Sequence, residues 1–282
     1  MDANQLLQRI LGWARQEDRV IGLIMTGAQT QQEGASDGLS DHDLELIFTD
    51  YRPFADDDAW LHQFEPVWVY QPLFQDQEYP TRLVFYEGGN KVDFTLADPR
   101  RVLDMVERGR LDDLYERGYQ VLLDKTGLTR DLPSPSGGFP IVPLPEQADF
   151  QTVVEEFWFE AAHIPKYLLR DELWVVKFRD WTMKCDLLKL LEWHAIATSA
   201  EPVDVRYIGT HANRWVDEQT WSELQDVFAR FAAADSWRAL LASMKLMRRL
   251  GREIQQHSDL IYPQQVDDHI SAYILSFEGR LG

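Results

Sequence analysis

The sequence is poor in cysteine and in long apolar runs, and both shortages limit what the chain can be. It has one cysteine in 282 residues, Cys185, so no disulfide can form within the chain. No run of about 18 apolar residues occurs, which predicts no membrane-spanning helix. The N-terminus has no basic segment followed by a long apolar one and so does not resemble a secretory signal. We therefore expect a cytoplasmic protein in which Cys185 is reduced and packed in a helical core.

Positive charge is also scarce. The chain has 28 Lys and Arg against 47 Asp and Glu, a net charge of −19. Such a surface repels nucleic-acid phosphates and anionic lipids, so we expect no nucleic-acid and no membrane partner. It suits a small cationic substrate, although an acidic surface also serves solubility alone. Either a monomer or a homodimer is compatible with the sequence.

The first part of the chain combines helix and strand patterns. Apolar residues at helical spacing predict a helix over 3–16, and an apolar run predicts a buried strand over 20–25. A polar segment, 29–40, is typical of a loop or a short helical turn. Alternating residues over 41–49 then predict a half-buried strand. The later patterns predict a strand at 67–71, a hairpin of 82–87 and 91–96 around Gly88-Gly89-Asn90, a helix over 99–117 and a strand over 119–123.

A proline-rich segment divides the chain. Five prolines and two glycines lie between Pro133 and Pro145, which predicts a linker over 133–146. Beyond the linker, apolar spacing predicts helices over 155–173, 174–198, 217–234 and 236–256. The predicted fold class is therefore α+β: an N-terminal α/β domain with a mixed sheet over 1–132, followed by an all-α helical bundle over 147–282.

Three carboxylates are candidates for a metal site. Asp41 and Asp43 lie two residues apart on a predicted strand, so their side chains leave the same face. Asp93 lies between Val92 and Phe94 and points away from their apolar face. If the two strands are neighbours, the three carboxylates converge. Paired carboxylates repel each other unless a cation lies between them, and Mg²⁺ suits an all-oxygen set.

These features together fit nucleotidyl transfer. Gly27, at the end of the first strand, would let backbone N–H groups approach a triphosphate. Attack of a hydroxyl on the α-phosphate also needs charge stabilisation and a base. An isolated Asp-x-Asp is commonly a solvated strand edge, and Glu45 on the same face would then extend a polar surface. The ordered set of strand-Gly, Asp-x-Asp and a later Asp is more specific and predicts a nucleotidyltransferase.

The pattern resembles the DNA polymerase beta-like nucleotidyltransferase superfamily. More narrowly, the chain is similar to the aminoglycoside 6-adenylyltransferases that inactivate streptomycin. The similar segments are 39–45, 86–96, 121–125, 156–159 with Lys166, Arg170, Asp171 and Glu172, then 192–197 and the Gly209 segment. The resemblance implies transfer of AMP from ATP to a hydroxyl of an aminocyclitol antibiotic, with Mg²⁺ as cofactor.

The resemblance also implies roles for individual residues. Asp41 and Asp43 would be metal ligands, and Asp93 would complete the metal site or act as the base. Contacts to the triphosphate would come from Thr26, Gly27, Ala28 and Lys166, although Lys166 is equally compatible with a solvated helix lysine. Candidates for the cationic groups of the substrate are Glu155, Glu156, Asp171 and Glu172, although Asp171 can equally form an ion pair with Arg170. Helical spacing alone explains His194, Trp158, Trp174, Trp181 and Trp193 as packed helix residues.

One segment departs from the family. The family carries Gly-Ser at the strand end, followed by Arg in the adenylyltransferases, whereas this chain has Gly27-Ala28-Gln29. A charge-assisted contact contributes about 1.5–3 kcal/mol, so nucleotide affinity is expected to fall unless Thr26 or Thr30 compensates. Two alternatives therefore stay open. The chain can be a catalytically weakened relative that binds a small molecule or nucleotide, or an adenylyltransferase for another acceptor, such as a lincosamide or a metabolite.

Overall fold

A computed structural model describes residues 2–30, 40–73 and 78–281. The chain divides into two compact units, Met1–Pro140 and Ile141–Gly282. The first contains a six-stranded sheet and the second is built from helices. The predicted fold class is thereby confirmed. The assignment of a nucleotidyltransferase domain and a substrate-binding domain to the predicted ranges stays a prediction.

The first unit begins with a helix and a strand close to their predicted ranges. Its elements are α1 (Ala3–Gln16), β1 (Val20–Thr26), a 3₁₀ turn (Gly27–Thr30), β2 (His42–Phe48), α2 (Arg52–Asp56), a 3₁₀ helix (Asp58–Gln63), β3 (Val67–Leu73), β4 (Thr81–Tyr86), β5 (Lys91–Ala97), α3 (Arg100–Arg108), α4 (Asp113–Glu116) and β6 (Gln120–Asp124). The predicted loop over 29–40 lies mostly outside the described residues. Neither α2 nor the helix that follows it was expected from the sequence.

The sheet is mixed, and its centre holds the two strands that matter most for function. The strand order is β3-β4-β5-β2-β1-β6. Strands β2 and β5 run parallel, whereas the other neighbouring pairs run antiparallel. Gly88 and Gly89, both with positive φ, form the turn of the predicted β4–β5 hairpin.

Both faces of the sheet are covered. Helix α1 and an aromatic group that includes Trp60 and Phe94 pack on one face. On the other face, Ile47 packs with residues of α3 and α4 such as Tyr115. The prediction of a half-buried β2 is therefore wrong. Glu45 and Ile47 were expected on a polar face, but both are buried.

The helix predicted over 99–117 is interrupted. Helix α3 ends at Gly109, whose left-handed φ of 60° allows its N–H to bond Met105 and Val106 carbonyls. Helix α4 then begins after Asp112, whose carboxylate accepts hydrogen bonds from the Leu114 and Tyr115 N–H groups. The caps at Gly109 and Asp112 divide the segment into two helices, although its apolar spacing is continuous.

The second unit is a bundle in which α5, α6, α9 and α10 share one core. Its helices are α5 (Gln147–Leu169), α6 (Leu173–Thr198), α7 (Ala212–Trp215), α8 (Glu218–Val227), α9 (Ala233–His257), α10 (Gln264–Leu275) and α11 (Glu278–Leu281). Helix α5 starts eight residues earlier than predicted, and α7, α10 and α11 were not expected. No helix among the described residues has the length and hydrophobicity needed to cross a bilayer.

Several packing predictions for this bundle are corrected. Trp158 is buried and His194 is buried with Nε2 2.7 Å from Glu253 Oε2, as expected. Trp174 and Trp181 are instead 80% and 63% exposed. Cys185 is also exposed and not a core residue. Helix α6 carries apolar residues on all sides, so helical spacing does not identify its buried face.

Candidate active site

The three predicted carboxylates lie at one edge of the sheet. In the parallel pair β2–β5, Asp43 stands directly opposite Asp93, and His42 stands opposite Val92. Residues paired in this way send their side chains to the same face. Asp41 immediately precedes β2. The condition set by the sequence, that the two strands be neighbours, is therefore met.

A lysine links two of these carboxylates. The ammonium group of Lys91 donates to Asp41 Oδ2 at 2.7 Å and to Asp93 Oδ2 at 2.8 Å. Lys91 lies two residues before Asp93 on β5, so both side chains leave one face. Lys91 is not among the candidate residues that the sequence patterns identify. Its i, i+2 spacing from Asp93 is the signal that would have identified it.

The carboxylates retain more negative charge than Lys91 neutralises. Burial and the nearby Asp93 charge raise the pKa of Asp43 to about 6, although Lys91 lowers it. Burial also raises the pKa of Asp93, against the hydrogen bond from Lys91. Asp93 Oδ1 is buried and has no hydrogen-bond partner in the part of the chain that the structure describes. The group therefore favours a further cation.

The donor set fits Mg²⁺ by its chemistry. All the donors are carboxylate oxygens, which Mg²⁺ prefers, and Asp93 Oδ1 is an unpaired buried donor. As arranged over 2–30, 40–73 and 78–281, however, no three His, Cys, Asp or Glu side chains form a ready metal cluster. Lys91 Nζ instead lies between Asp41 and Asp93. Metal binding by these two residues would require the ammonium group to move.

The turn after β1 packs against Asp43. Gly27 has φ 75°, and a Cβ built on it would lie 1.9 Å from Asp43 Oδ2. Only glycine fits here, because it tolerates a left-handed φ and lacks the Cβ that would collide with the carboxylate. Thr26, the last residue of β1, pairs with Asp43 and is buried. Ala28 is half-buried in the turn.

Two side chains brace this turn. Thr30 Oγ1 lies 2.9 Å from the Gly27 carbonyl oxygen and 2.8 Å from that of Gly118. Gln29 Nε2 donates to the Ser40 carbonyl at 3.1 Å. The Thr30 hydroxyl is thus engaged with the backbone, and the Thr26 side chain is buried. Neither threonine hydroxyl is therefore available to take the place of the serine hydroxyl that the family carries.

Glu45 anchors β2 beneath the carboxylates. Its carboxylate accepts hydrogen bonds from Arg101 at 3.0 Å and from the Tyr115 hydroxyl at 2.6 Å. Arg101 also pairs with Asp112. Glu45 is buried and so does not extend a polar surface, the alternative that the sequence left open. Its position on the Asp43 face was visible in the sequence, but its partners lie on α3 and α4, far along the chain.

The remaining predicted residues lie on the helical unit, in three places along α5 and the turn that follows it. Glu155 and Glu156 line a cavity of about 730 Å³, and Lys166 is half-buried further along α5. Asp171 and Glu172 are exposed in the turn after α5. Helix α5 continues from Glu156 to Leu169, roughly 20 Å at about 1.5 Å per residue. The structure therefore does not bring the four substrate candidates together. A triphosphate contact by Lys166 stays a prediction.

The turn at Asp171 has features of its own. Asp171 adopts φ 57°, in the left-handed region that non-glycine residues rarely occupy. The guanidinium group of Arg170 lies over the Tyr167 ring, 5.9 Å from its centroid. Arg170 thus contacts an aromatic ring of α5, and the turn between α5 and α6 presents the Asp171 and Glu172 carboxylates to solvent.

Comparison with known proteins gives consistent matches along the chain. A family model described as streptomycin adenylyltransferase matches residues 1–277. The aminoglycoside 6-adenylyltransferase of Bacillus subtilis (strain 168) is 23% identical over 277 residues, 95% of each chain. The crystal structure of an aminoglycoside 6-adenyltransferase from Bacillus subtilis is similar over 99% of both chains, with 19% identity and a TM-score of 0.48. A spectinomycin adenyltransferase from Enterococcus faecialis, crystallised with ATP and spectinomycin, covers 99% of both chains with 9% identity and a TM-score of 0.31.

Proposed function

Because the chain belongs to the streptomycin adenylyltransferase family and is an aminoglycoside adenylyltransferase, we propose that it moves AMP from Mg-ATP to a hydroxyl of streptomycin. Pyrophosphate is the second product. The observation that carries this proposal is the pairing of Asp43 with Asp93 on neighbouring parallel strands, with Asp41 linked to Asp93 through Lys91. These carboxylates meet at the end of β1, where the Gly27 turn lies against Asp43.

In this proposal the three carboxylates hold the cation. Mg²⁺ bound by Asp41, Asp43 and Asp93 would neutralise charge on the transferred phosphate and on pyrophosphate. The raised pKa of Asp43 and the unpaired Asp93 Oδ1 support a cation here, because both reflect negative charge that the described residues leave uncompensated. Lys91 would neutralise part of the charge of Asp41 and Asp93 until the cation binds.

The bond changes in the reaction assign a role to Asp93. A bond forms between the acceptor hydroxyl oxygen and the α-phosphorus, and the bond from that phosphorus to the β-phosphate bridging oxygen breaks. The hydroxyl proton passes to the Asp93 carboxylate, through the oxygen that does not bind the cation. Backbone N–H groups of the turn at Gly27 and Ala28 would face the triphosphate.

The test is pyrophosphate release from Mg-ATP with streptomycin, other aminoglycosides and a lincosamide as acceptors. Asp41→Asn and Asp43→Asn should abolish acceptor-dependent release, and chelation of Mg²⁺ should do the same. Asp50→Asn is a matched control, because it removes a carboxylate just beyond the other end of β2. Release with a lincosamide but no aminoglycoside would change the acceptor.

One specific observation, the Gly27-Ala28-Gln29 sequence, favours the alternative that the chain is a catalytically weakened relative that binds a small molecule or nucleotide. The hydroxyl of Thr30, the next residue, already bonds the carbonyl oxygens of Gly27 and Gly118. The same experiment separates the two candidates. Tight binding of an antibiotic, with no pyrophosphate release from Mg-ATP in the presence of any acceptor, would support a binding protein. It would contradict the proposed transferase.

A further inference from the structure

The sheet of the first unit ends in a strand whose outer edge is open. Among residues 2–30, 40–73 and 78–281, β3 (Val67–Leu73) pairs with β4 on one side and with no strand on the other. The outer edge of such a strand carries backbone N–H and C=O groups that can pair with a strand of another chain. Folded proteins commonly protect these edges by keeping the strand short or by placing charged side chains on it.

Both of these protections are missing from β3. Its sequence, Val-Trp-Val-Tyr-Gln-Pro-Leu, contains no charged residue, although 27% of the residues in the chain are charged. The other edge strand, β6, is two residues shorter, ends at Asp124 and is followed by Lys125. The β3 edge is therefore the more open of the two to pairing with another strand.

The β3 edge also exposes apolar side chains on both faces of the sheet. Trp68 and Val69 are 62% and 60% exposed, and Tyr70 is also exposed. Successive residues of a strand point to opposite faces, so Val69 and Tyr70 lie on different faces. Phe85 of β4 stands opposite Val69 and is exposed beside it. Apolar surface gathered in this way marks a contact site for another protein.

Pro72 indicates which backbone groups point outward. Proline has no N–H, and within sheets it occupies edge-strand positions whose N–H direction faces solvent. Tyr70 precedes Pro72 by two residues in β3, so its N–H and C=O point to the same open edge. Tyr70 therefore offers one donor and one acceptor to an incoming strand, whereas Pro72 offers an acceptor alone.

The charge of the chain and the symmetry of strand pairing favour a second copy as the occupant. Two copies with a net charge of −19 repel each other least where the surface is uncharged, as it is along β3. A cationic partner would instead be attracted to the acidic surface elsewhere. Two identical strands related by a two-fold axis pair antiparallel through the same residues, and this contact closes after two copies. With the axis at Tyr70, the two Tyr70 residues exchange both of their backbone hydrogen bonds.

We propose that β3 is the surface through which two copies of this chain associate, by antiparallel pairing of β3 with β3 that joins the two sheets edge to edge. The inference does not depend on the proposed reaction, because it uses the backbone of β3 and the apolar side chains beside it. The paired surface is smaller than the standard area of about 800 Å² per partner. We therefore expect a reversible dimer with a Kd of about 1–100 μM.

The first test is sedimentation velocity of the wild type over a concentration series from about 1 to 200 μM. The mass should rise from 32.9 kDa toward twice that value. Association should be stronger in about 0.5 M than in about 0.05 M NaCl, because salt screens the repulsion between two acidic copies.

Val69→Lys should weaken the dimer by about tenfold or more, because it brings two like charges together at the two-fold axis. Trp181→Lys is the matched control, since Trp181 is an equally exposed apolar residue of α6 and the charge change is the same. This control should change the dimer Kd by less than about twofold. Because Val69 is exposed, its replacement should leave the urea unfolding midpoint of the monomer unchanged.

Hydrogen–deuterium exchange of the wild type distinguishes strand pairing from side-chain contact alone. Amide exchange in peptides that span 67–73 should slow as the protein concentration rises through the dimer Kd, whereas exchange in β6 should not change. This measurement does not depend on the folding of any variant.

Three outcomes would overturn the inference. A wild type that stays monomeric at about 200 μM would leave the β3 edge to a strand of a different protein. A dimer that Trp181→Lys disrupts and Val69→Lys does not would place the contact on α6. A dimer that leaves amide exchange at 67–73 unchanged would exclude pairing through the backbone of β3.

Discussion

Gly27 and Asp43 lie so close together that a Cβ on Gly27 would stand 1.9 Å from Asp43 Oδ2. The turn after β1 therefore presses its backbone against a carboxylate of the candidate metal site. This contact fixes the distance between the residues that we assign to the triphosphate and one that we assign to the cation. A side chain added at Gly27 must displace either the turn or the Asp43 carboxylate.

Gly27→Ala should remove most pyrophosphate-releasing activity. The left-handed φ of 75° alone destabilises a non-glycine residue by about 1–2 kcal/mol, and the new methyl group collides with Asp43. Gly12→Ala is the matched control, because its Cβ would meet no atom within 4 Å in α1. That control should keep full activity and gain about 0.5–1 kcal/mol in free energy of unfolding. Wild-type turnover by Gly27→Ala would contradict the close contact.

Lys91→Gln should destabilise the metal-free protein at pH 8. The substitution removes the only cation that the described residues place between Asp41 and Asp93, and leaves their negative charges to repel each other. We expect a loss of about 1–3 kcal/mol in the free energy of unfolding, measured with urea. The loss should shrink as the pH falls, because burial raises the pKa of Asp93 and a protonated Asp93 no longer repels Asp41.

Lys245→Gln is the control for this measurement, since the Lys245 side chain is 76% exposed. It should change the free energy of unfolding by less than about 0.5 kcal/mol. Added Mg²⁺ should restore more stability to Lys91→Gln than to the wild type. Equal effects of Mg²⁺ on both proteins would argue against cation binding by these carboxylates.

Asp186→Asn should stabilise the protein above pH 6. The pKa of Asp186 is raised to about 6 in the folded state from 3.8, so the folded state holds this proton more tightly than the unfolded state. The stabilisation that protonated Asp186 provides is complete below about pH 4 and lost as the pH rises through 6. The variant should therefore be more stable than the wild type by about 1–3 kcal/mol at pH 8.

The measurement is urea unfolding of both proteins between pH 4 and pH 8. Their difference in free energy of unfolding should disappear near pH 4. Glu201→Gln, which removes an exposed carboxylate, should show no such pH dependence. A difference that stays constant from pH 4 to pH 8 would mean that the Asp186 charge is not the cause.

The sequence predicted the carboxylates well but not their surroundings. Asp41, Asp43 and Asp93 were identifiable because strand alternation fixes which face each side chain leaves. That β2 and β5 are neighbours was a condition that the pattern could not supply, since strand pairing depends on contacts distant along the chain. The role of Arg101 was missed for the same reason, whereas Lys91 was identifiable from its i, i+2 spacing to Asp93.

Helix α6 shows a different limit. Trp174 and Trp181 were expected in the core on the basis of spacing, yet both are exposed. The buried positions of this helix include Lys184, which donates to Asp180 at 2.6 Å and to Ser243 at 3.0 Å. Where apolar residues surround a helix, burial is decided by the partners of its polar residues, which the sequence of the helix alone does not specify.

Restoring the family residues at the turn should strengthen nucleotide binding. The double substitution Ala28→Ser with Gln29→Arg returns a hydroxyl and a guanidinium group to the segment that follows Gly27. Each charge-assisted contact contributes about 1.5–3 kcal/mol, so the Kd for Mg-ATP should fall by about tenfold to a hundredfold. Calorimetry with a non-hydrolysable ATP analogue measures this change directly, and streptomycin affinity should stay the same.

The paired control is Ala28→Ser with Gln29→Met, which restores the hydroxyl without the positive charge. It should recover less of the nucleotide affinity than the serine–arginine pair. If neither pair alters ATP binding while the wild type releases pyrophosphate rapidly, the Gly27 turn does not contact the triphosphate. In that case the departure from the family sequence would have no bearing on catalysis, and Ala28 would be removed from the candidate site.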